Sequence, residues 1–134
     1  MINYDTAHDP PAAAVPIRVA NPIRRRLRRD VSALLDTGTD ITAIPAALES
    51  ELQLYAVSRI RIENVDASVN FVYTYTVRLE IGPLIVPPIQ VILTNLDFAI
   101  IGRDILSHLY LLLNGPEQTF DLRTTPFLAD PSAE

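Results

Sequence analysis

The sequence predicts a mostly antiparallel β protein with one short helix. In the segment 71–81, apolar residues occupy every second position, which is the period of a half-buried strand. Before it, Ile60 and Ile62 alternate with charged residues, so the two segments predict a long hairpin with its tip at 63–70. Turn-forming glycine and proline residues divide the other apolar segments into short pieces, as expected between strands.

The other elements follow from local composition. The adjacent residues Pro87 and Pro88 cannot lie in the middle of a paired central strand, so they predict an edge or a bulge. An early proline followed by good helix formers favours a short helix or turn at 44–52. In chain order we expect a flexible N-terminal arm at 1–13, a strand within 14–22, a strand at 31–35, the hairpin, a turn at 82–83, a strand region at 84–95, a short strand before Gly102, a helix near 103–109, two final strands joined at 114–115, and a tail at 124–134.

Composition limits the function before any motif is considered. A chain of 134 residues with 49% apolar and 20% charged residues predicts one folded domain. The net charge of −5 argues against nucleic acid as the main partner. Cysteine is absent, which excludes disulfides, thiolate catalysis and cysteine-based zinc sites. His8 and His108 have no partner at metal-ligand spacing, so we expect no metal site at either histidine.

The sequence shows no sign of targeting or membrane insertion. The first residues lack a basic region followed by an apolar one, which a secretory signal requires. The longest apolar runs are far shorter than a membrane span. A cytoplasmic location without a membrane partner in this chain is therefore the default expectation.

A run of arginines lies at 23–30, where five arginines occur in eight residues. The simplest interpretation is a solvated turn or a strand edge protected by charge. A contact with acidic groups of a partner subunit stays open as an alternative.

The chemistry begins at "ALLDTGTDITAIP", where an apolar strand runs directly into Asp36. The strand would present the carboxylate at a tight turn. Gly38 lets the backbone bend where a side chain would clash, and Thr37 can hydrogen-bond to another element. Three residues alone are a weak signal for catalysis.

A second motif, "FAIIGRDIL" at 98–106, follows after the hairpin pattern, and "LLLNGPEQTFDL" is a weaker third. With the order of the elements, these stretches resemble the retropepsin-like, single-domain aspartic proteases over residues 14–123. The resemblance implies an all-β, closed acid-protease barrel with one short C-terminal helix, active as a homodimer. It also implies an aspartic endopeptidase that binds a peptide or protein in extended form without a cofactor.

Carboxylate chemistry independently requires a second copy of the chain. Two acids must lie a few ångströms apart and share one proton, because like charges at that distance cannot both ionise. One carboxylate then activates water and the other polarises the scissile carbonyl. The chain contains one Asp-Thr-Gly, so Asp36 must meet Asp36 of a second copy on a two-fold axis.

The resemblance also implies roles for residues around Asp36. Thr37 would bond to the partner chain beneath the carboxylates, and Gly38 would offer backbone groups to the substrate. Thr39 lies where the family has a small residue, and our own hypothesis from its chemistry is that the hydroxyl reaches the carboxylates and, by donating a bond to the ionised form, favours activity at acidic pH. Three further positions match family positions that support the loop, namely an ion pair of Asp40 with Arg103 and a close-packing glycine at Gly102.

The hairpin lies where the family has its flap, the mobile cover of the substrate. The flap and substrate-binding residues expected here are Asn64, Val65, Asp66, Ala67, Ser68, Phe98 and Ile100. The tip "IENVDASVNF" contains no glycine, unlike the glycine-rich tips that the family usually has. The wall 94–101 is apolar and favours bulky apolar side chains beside the cut.

Two alternatives stay open. The glycine-free tip favours a catalytically weak or inactive peptide-binding or dimerisation module on the same fold. The chain ends are also compatible with a domain cut from a longer protein, such as a membrane-tethered protease. For the dimer base, "VPIRVANP" and "QTFDLRTTPFL" are the candidate strands of an interleaved sheet.

Overall fold

The computed structural model describes residues 1–128, which form ten strands and two four-residue helices. The elements in chain order are β1 Ile2–Asn3, β2 Ala14–Ala20, β3 Arg28–Leu35, β4 Ala43–Pro45, α1 Leu48–Glu51, β5 Ala56–Glu63, β6 Val69–Ile81, β7 Leu84–Thr94, β8 Ala99–Ile101, α2 Arg103–Leu106, β9 Tyr110–Asn114 and β10 Thr119–Arg123.

Six strands close into a barrel in the order β2-β3-β8-β4-β7-β6, and pairing of β2 with β6 completes the circle. Most ladders are antiparallel, while β3 pairs with β8 and β4 pairs with β7 in parallel. Within the described part of the chain, strand β5 pairs only with β6, so the β5–β6 hairpin extends out of the barrel. The predicted closed all-β barrel is confirmed.

The long strand β6 is buried along only part of its length. Its second half alternates as predicted, with Val77 and Leu79 fully buried in the core. In the first half, Phe71 is 62% exposed and Tyr73 is 58% exposed, so the expectation of a half-buried strand is wrong there. The reason is tertiary, because this half belongs to the projecting hairpin and has no barrel strand beneath it among residues 1–128.

The two adjacent prolines lie at an irregularity of β7, as predicted. Val77 pairs with Ile89 and Leu79 pairs with Val86, so β7 has one more residue than β6 between these pairs. The extra residue comes from the Pro87–Pro88 step. Proline has no N–H for the ladder, and a bulge removes the need for one.

A separate three-stranded sheet has the order β1-β10-β9. Its central residue Phe120 is fully buried in the common core, with the Tyr4 ring 6.2 Å away. Residues 1–13, expected as a flexible arm, therefore contribute strand β1 and a bridge between Asp5 and Ala12. The division into arm, domain and tail stays a prediction, and residues 129–134 of the predicted tail lie outside the described residues.

The two helices are short connections. Helix α1 lies within the segment predicted as a helix or turn, and α2 ends at Leu106, earlier than the predicted 109. Among residues 1–128, no helix has the length and apolar character needed to cross a membrane.

Candidate active site

Strand β3 delivers Asp36 to the end of the barrel. Leu35 pairs with Ile101 of β8, and the Asp36 backbone N–H donates to the Ile101 carbonyl oxygen over 2.9 Å. The backbone at Asp36 is therefore anchored to the strand that precedes the second motif. The loop after Asp36 then turns away from the sheet.

Donors from the same loop contact both oxygens of the Asp36 carboxylate. The Gly38 N–H donates to Oδ1 over 2.9 Å, and the Thr39 hydroxyl donates to Oδ2 over 2.7 Å. A Cβ at Gly38 would lie 3.2 Å from Oδ1, so the close approach itself favours glycine. The side chain of Asp36 is half-buried, and its orientation is set by these two bonds.

Arg103, the first residue of α2, holds the outer side of the loop. Its Nη1 donates to the Thr37 carbonyl oxygen over 2.7 Å, and its Nη2 contacts Asp40 Oδ1. The two side chains are 52% and 84% exposed, so water screens the pair and its contribution to stability is small. The pairing predicted from the motifs is present, and its main effect is to orient the loop.

Gly102 packs against the backbone of the same loop. A Cβ there would lie 2.8 Å from the Thr39 carbonyl oxygen and 3.0 Å from the Ile41 carbonyl carbon. Because both neighbours are backbone atoms, no side chain can move aside to make room. The predicted close-packing role of Gly102 agrees with this geometry.

A second polar network lies beneath the loop, and the sequence patterns did not predict it. The Asp104 carboxylate accepts from the Thr42 N–H over 2.9 Å and from the Thr42 hydroxyl over 2.8 Å. The Thr42 hydroxyl in turn accepts from the Gly102 N–H over 3.1 Å. Thr42 is fully buried. A polar residue directly before the apolar residues of β4 was the available signal, because a buried hydroxyl needs partners.

The hairpin and the loop border an open groove of about 780 Å³, called the cleft below. Residues 38–41 line one side, and residues 60–65 with Ile92 line the other. The structure therefore brings Gly38, Thr39 and Asp40 together with Asn64 and Val65. Asp66, Ala67 and Ser68 belong to the turn but do not line the cleft.

Side-chain hydrogen bonds hold the glycine-free tip in shape. The Asn64 N–H donates to the Ser68 carbonyl oxygen over 2.8 Å, and Asn64 Nδ2 donates to the Ser68 hydroxyl over 3.0 Å. The hydroxyl and N–H of Ser68 donate to Asp66 Oδ1, which lowers the pKa of Asp66. Ala67 has φ 67°, a left-handed conformation that glycine adopts more easily.

Phe98 and Ile100 do not line the cleft. The Phe98 ring packs against the His8 ring at 4.7 Å in a perpendicular arrangement. Ile100 is half-buried in β8, between Leu34 and Ala43 of the neighbouring strands. Their substrate-binding role stays a prediction. Among the described residues, no cluster of His, Cys, Asp and Glu could hold a metal ion.

Comparison with known proteins identifies the fold. No protein-family model matches the chain, and no curated protein matches it. EIAV protease complexed with the inhibitor HBY-793 matches with a TM-score of 0.51 at 18% identity, over 72% of this chain and 86% of that one. Simian Foamy Virus (mac) protease matches with a TM-score of 0.53 at 13% identity, over 71% of this chain and 92% of that one. This chain therefore has a retropepsin-like fold.

Proposed function

We propose that the chain is an aspartic endopeptidase that acts as a homodimer with one Asp36 from each subunit. The supporting observation is the Asp36 carboxylate, which is held at both oxygens by Gly38 and Thr39, two residues that line the large cleft. A carboxylate that activates water must be held in a fixed orientation and be accessible to the water. It also needs space beside it for the extended peptide that the water attacks.

The second carboxylate comes from a second copy. The chain has one Asp-Thr-Gly, and a single carboxylate cannot both activate the water and protonate the carbonyl oxygen. In the dimer, one ionised Asp36 takes the proton of the water, and the protonated Asp36 donates to the carbonyl oxygen. Thr37 would contact the partner chain beneath the two carboxylates.

The substrate would lie extended under the hairpin as an added strand. The backbone of Gly38 would hydrogen-bond to the backbone of the substrate. The side chains of Ile60 and Ile62 would contact the side chains of the substrate. Phe98 and Ile100 would join the site only in the complete dimer. Bulky apolar side chains beside the cut remain the expected preference.

The dimer contact needs a free strand edge. Of the two candidate segments, "VPIRVANP" forms β2, which pairs with β3 along its length and with β6 at Arg18–Ala20, so it is a barrel strand. In "QTFDLRTTPFL", one edge of β10 pairs with β9 along its whole length. The opposite edge pairs with β1 at Thr119 and Phe120 and no further within the described residues. The backbone edge at 121–123 would then be available to a second copy.

The test is cleavage of a mixed peptide library at acidic to neutral pH by wild type and by Asp36→Asn, with and without pepstatin. The asparagine keeps the size of the side chain and removes the acid, so cleavage is expected only from wild type. Mixing equal amounts of the two proteins should leave about half the activity per wild-type chain, because half of the wild-type subunits then pair with an inactive one.

A protein that sediments as a dimer and cleaves nothing would contradict the proposal. Activity per wild-type chain that does not change on mixing would contradict the shared site, because each subunit would then act alone. Circular dichroism of Asp36→Asn controls for loss of the fold.

A second candidate is a peptide-binding module with weak or no activity. The observation that favours it is the tip, where Asn64, Asp66 and Ser68 bond one another and no glycine eases opening. In that case peptides would bind wild type and Asp36→Asn with equal affinity, and neither protein would cut them.

A further inference from the structure

A second groove lies at the base of the hairpin and is called the base groove below. Residues 21–24 of the β2–β3 turn form one wall, and residues 53–55 with Val57 and Thr76 form the other. Its volume is about 530 Å³. This is enough for one or two side chains of a bound peptide.

Hydrogen bonds between its two walls preform the base groove. The buried Asn21 donates through Nδ2 to the Leu52 carbonyl oxygen over 2.9 Å. Its Oδ1 accepts from the backbone N–H groups of Ile23 and Arg24 at 3.0 Å each. Arg24 Nη1 also donates to Gln53 Oε1 over 2.7 Å. The groove therefore needs little rearrangement to accept a ligand.

The walls of the base groove expose apolar side chains to water. Ile23 is 88% exposed, Tyr55 is 79% exposed and Val57 is 52% exposed, whereas Leu54 forms a buried floor. Three large apolar side chains exposed around one concave surface mark a site of interaction more often than a free surface. Tyrosine in such a position supplies contact area at a low cost in conformational entropy.

Arg24 lines the base groove, and the segment that follows it in the chain is cationic, although the protein as a whole is acidic. Five of the eleven basic residues of the chain lie at 24–29, although the net charge is −5. Arg25 and Arg26 are exposed and make no side-chain hydrogen bond or ion pair within the described residues. The residues that line the groove include no acid. The charge thus complements an acidic ligand.

The base groove is separate from the cleft. Its lining shares no residue with the lining of the cleft. Arg25 and Arg26 precede β3 and Asp36 follows it, so the eight residues of β3 separate them by about 26 Å. The groove is therefore not part of the site that would hold the scissile bond.

We propose that the base groove docks a short linear segment of another protein in which acidic residues flank a bulky apolar side chain. The apolar side chain inserts between Ile23, Tyr55 and Val57. The acidic residues lie against Arg25 and Arg26. The interaction is independent of the Asp36 chemistry, so it holds whether or not the chain is a protease.

The test uses a random peptide library displayed on phage and panned on the Asp36→Asn protein, which cannot cut the peptides. Phage that also bind an Asp36→Asn protein carrying Arg25→Glu and Tyr55→Ser are removed, which discards peptides bound in the cleft. We expect enriched peptides with Asp or Glu beside Leu, Phe or Tyr. A labelled synthetic copy should bind at least about tenfold more weakly to either single variant.

Arg59→Glu is the matched control, because it makes the same charge change at an exposed residue of β5 that lines neither the base groove nor the cleft. Its affinity should equal that of the parent, and added salt should weaken binding to the parent. Both groove positions are exposed, so thermal unfolding of the variants should match the parent within a few degrees.

Three results would overturn the proposal. One is a panning that enriches no peptides, or peptides without acidic residues. Another is self-association of wild type that Tyr55→Ser abolishes, since the groove would then be a contact between copies. The third is binding of labelled single-stranded oligothymidine that Arg25→Glu abolishes, which would assign the arginines to nucleic acid.

Discussion

At the scale of single residues, the orientation of the Asp36 carboxylate depends on two short hydrogen bonds. One comes from the backbone of Gly38, and the other comes from the hydroxyl of Thr39. The backbone donor survives any substitution that keeps the turn, whereas the hydroxyl can be removed by mutation. Thr39 is therefore the position at which the chemistry can be changed with least effect on the fold.

Thr39→Ala should lower kcat for a peptide substrate by about tenfold, because the Asp36 carboxylate loses the hydrogen bond to Oδ2 that fixes its orientation. Steady-state kinetics with a peptide substrate measure the loss, and circular dichroism checks that the fold is kept. Thr39→Ser keeps the hydroxyl and should keep the wild-type kcat. Identical kcat values for alanine and wild type would contradict the role given to Thr39.

Gly102→Ala should lower the free energy of unfolding by about 1–3 kcal/mol, because the added methyl group must push backbone atoms at 2.8 and 3.0 Å. Denaturant titration measures the loss. Gly115→Ala is the control, since no described atom lies within 4 Å of its Cβ position, and its stability should stay near wild type. Equal stability of the two variants would contradict the tight packing behind the loop.

At the scale of elements, polar side chains fix the shape of the turn at the tip of the hairpin. A glycine-rich tip would instead form its turn through the conformational freedom of the glycine backbone. Asn64, Asp66 and Ser68 bond one another across the turn. Ala67 has a positive φ, which costs an alanine more than a glycine. The tip is therefore held in one shape with some local strain.

Ala67→Gly should raise the free energy of unfolding by about 0.5–1 kcal/mol, because glycine adopts φ 67° without a Cβ clash. The added freedom of the unfolded chain offsets part of this gain. Ala56→Gly, in β5 of the same hairpin, is the control and should be destabilising. Thermal unfolding compares them. A loss of stability in Ala67→Gly would show that the turn changes in solution.

At the scale of the whole molecule, one core joins the barrel to the three-stranded sheet. Phe120 of β10 is fully buried in that core. Phe120→Ala should cost about 3–5 kcal/mol of unfolding free energy, because it leaves a large cavity. Leu113→Ala on the neighbouring strand β9 removes a side chain that is 54% exposed, and it should change stability little in dilute protein.

Two unfolding transitions in wild type would contradict this view, since they would show that the sheet unfolds separately from the barrel. Should Phe120→Ala fail to fold, Phe120→Leu makes a smaller cavity and keeps the test possible. Coincident transitions by tyrosine fluorescence and far-ultraviolet circular dichroism are expected for one cooperative unit.

The sequence by itself was sufficient for the local features. The strand that leads to Asp36, the hairpin, the turn at 82–83 and the proline bulge all follow from neighbouring residues, whereas the packing of Gly102 was implied by the family resemblance. Period-two patterns, missing N–H groups and missing Cβ atoms act within a few residues. The pairing of Asp40 with Arg103 was predicted through the resemblance of the two motifs.

Tertiary structure alone decided what depends on distant partners. Whether Phe71 and Tyr73 are buried depends on which strands lie beneath β6. The alternation of apolar residues along the sequence is the same whether these side chains are buried or exposed. The Thr42–Asp104 network joins residues that are 62 positions apart. The two walls of the base groove come from different parts of the chain. Burial and concavity arise from how strands pack across the chain, and a local pattern carries no information about that packing.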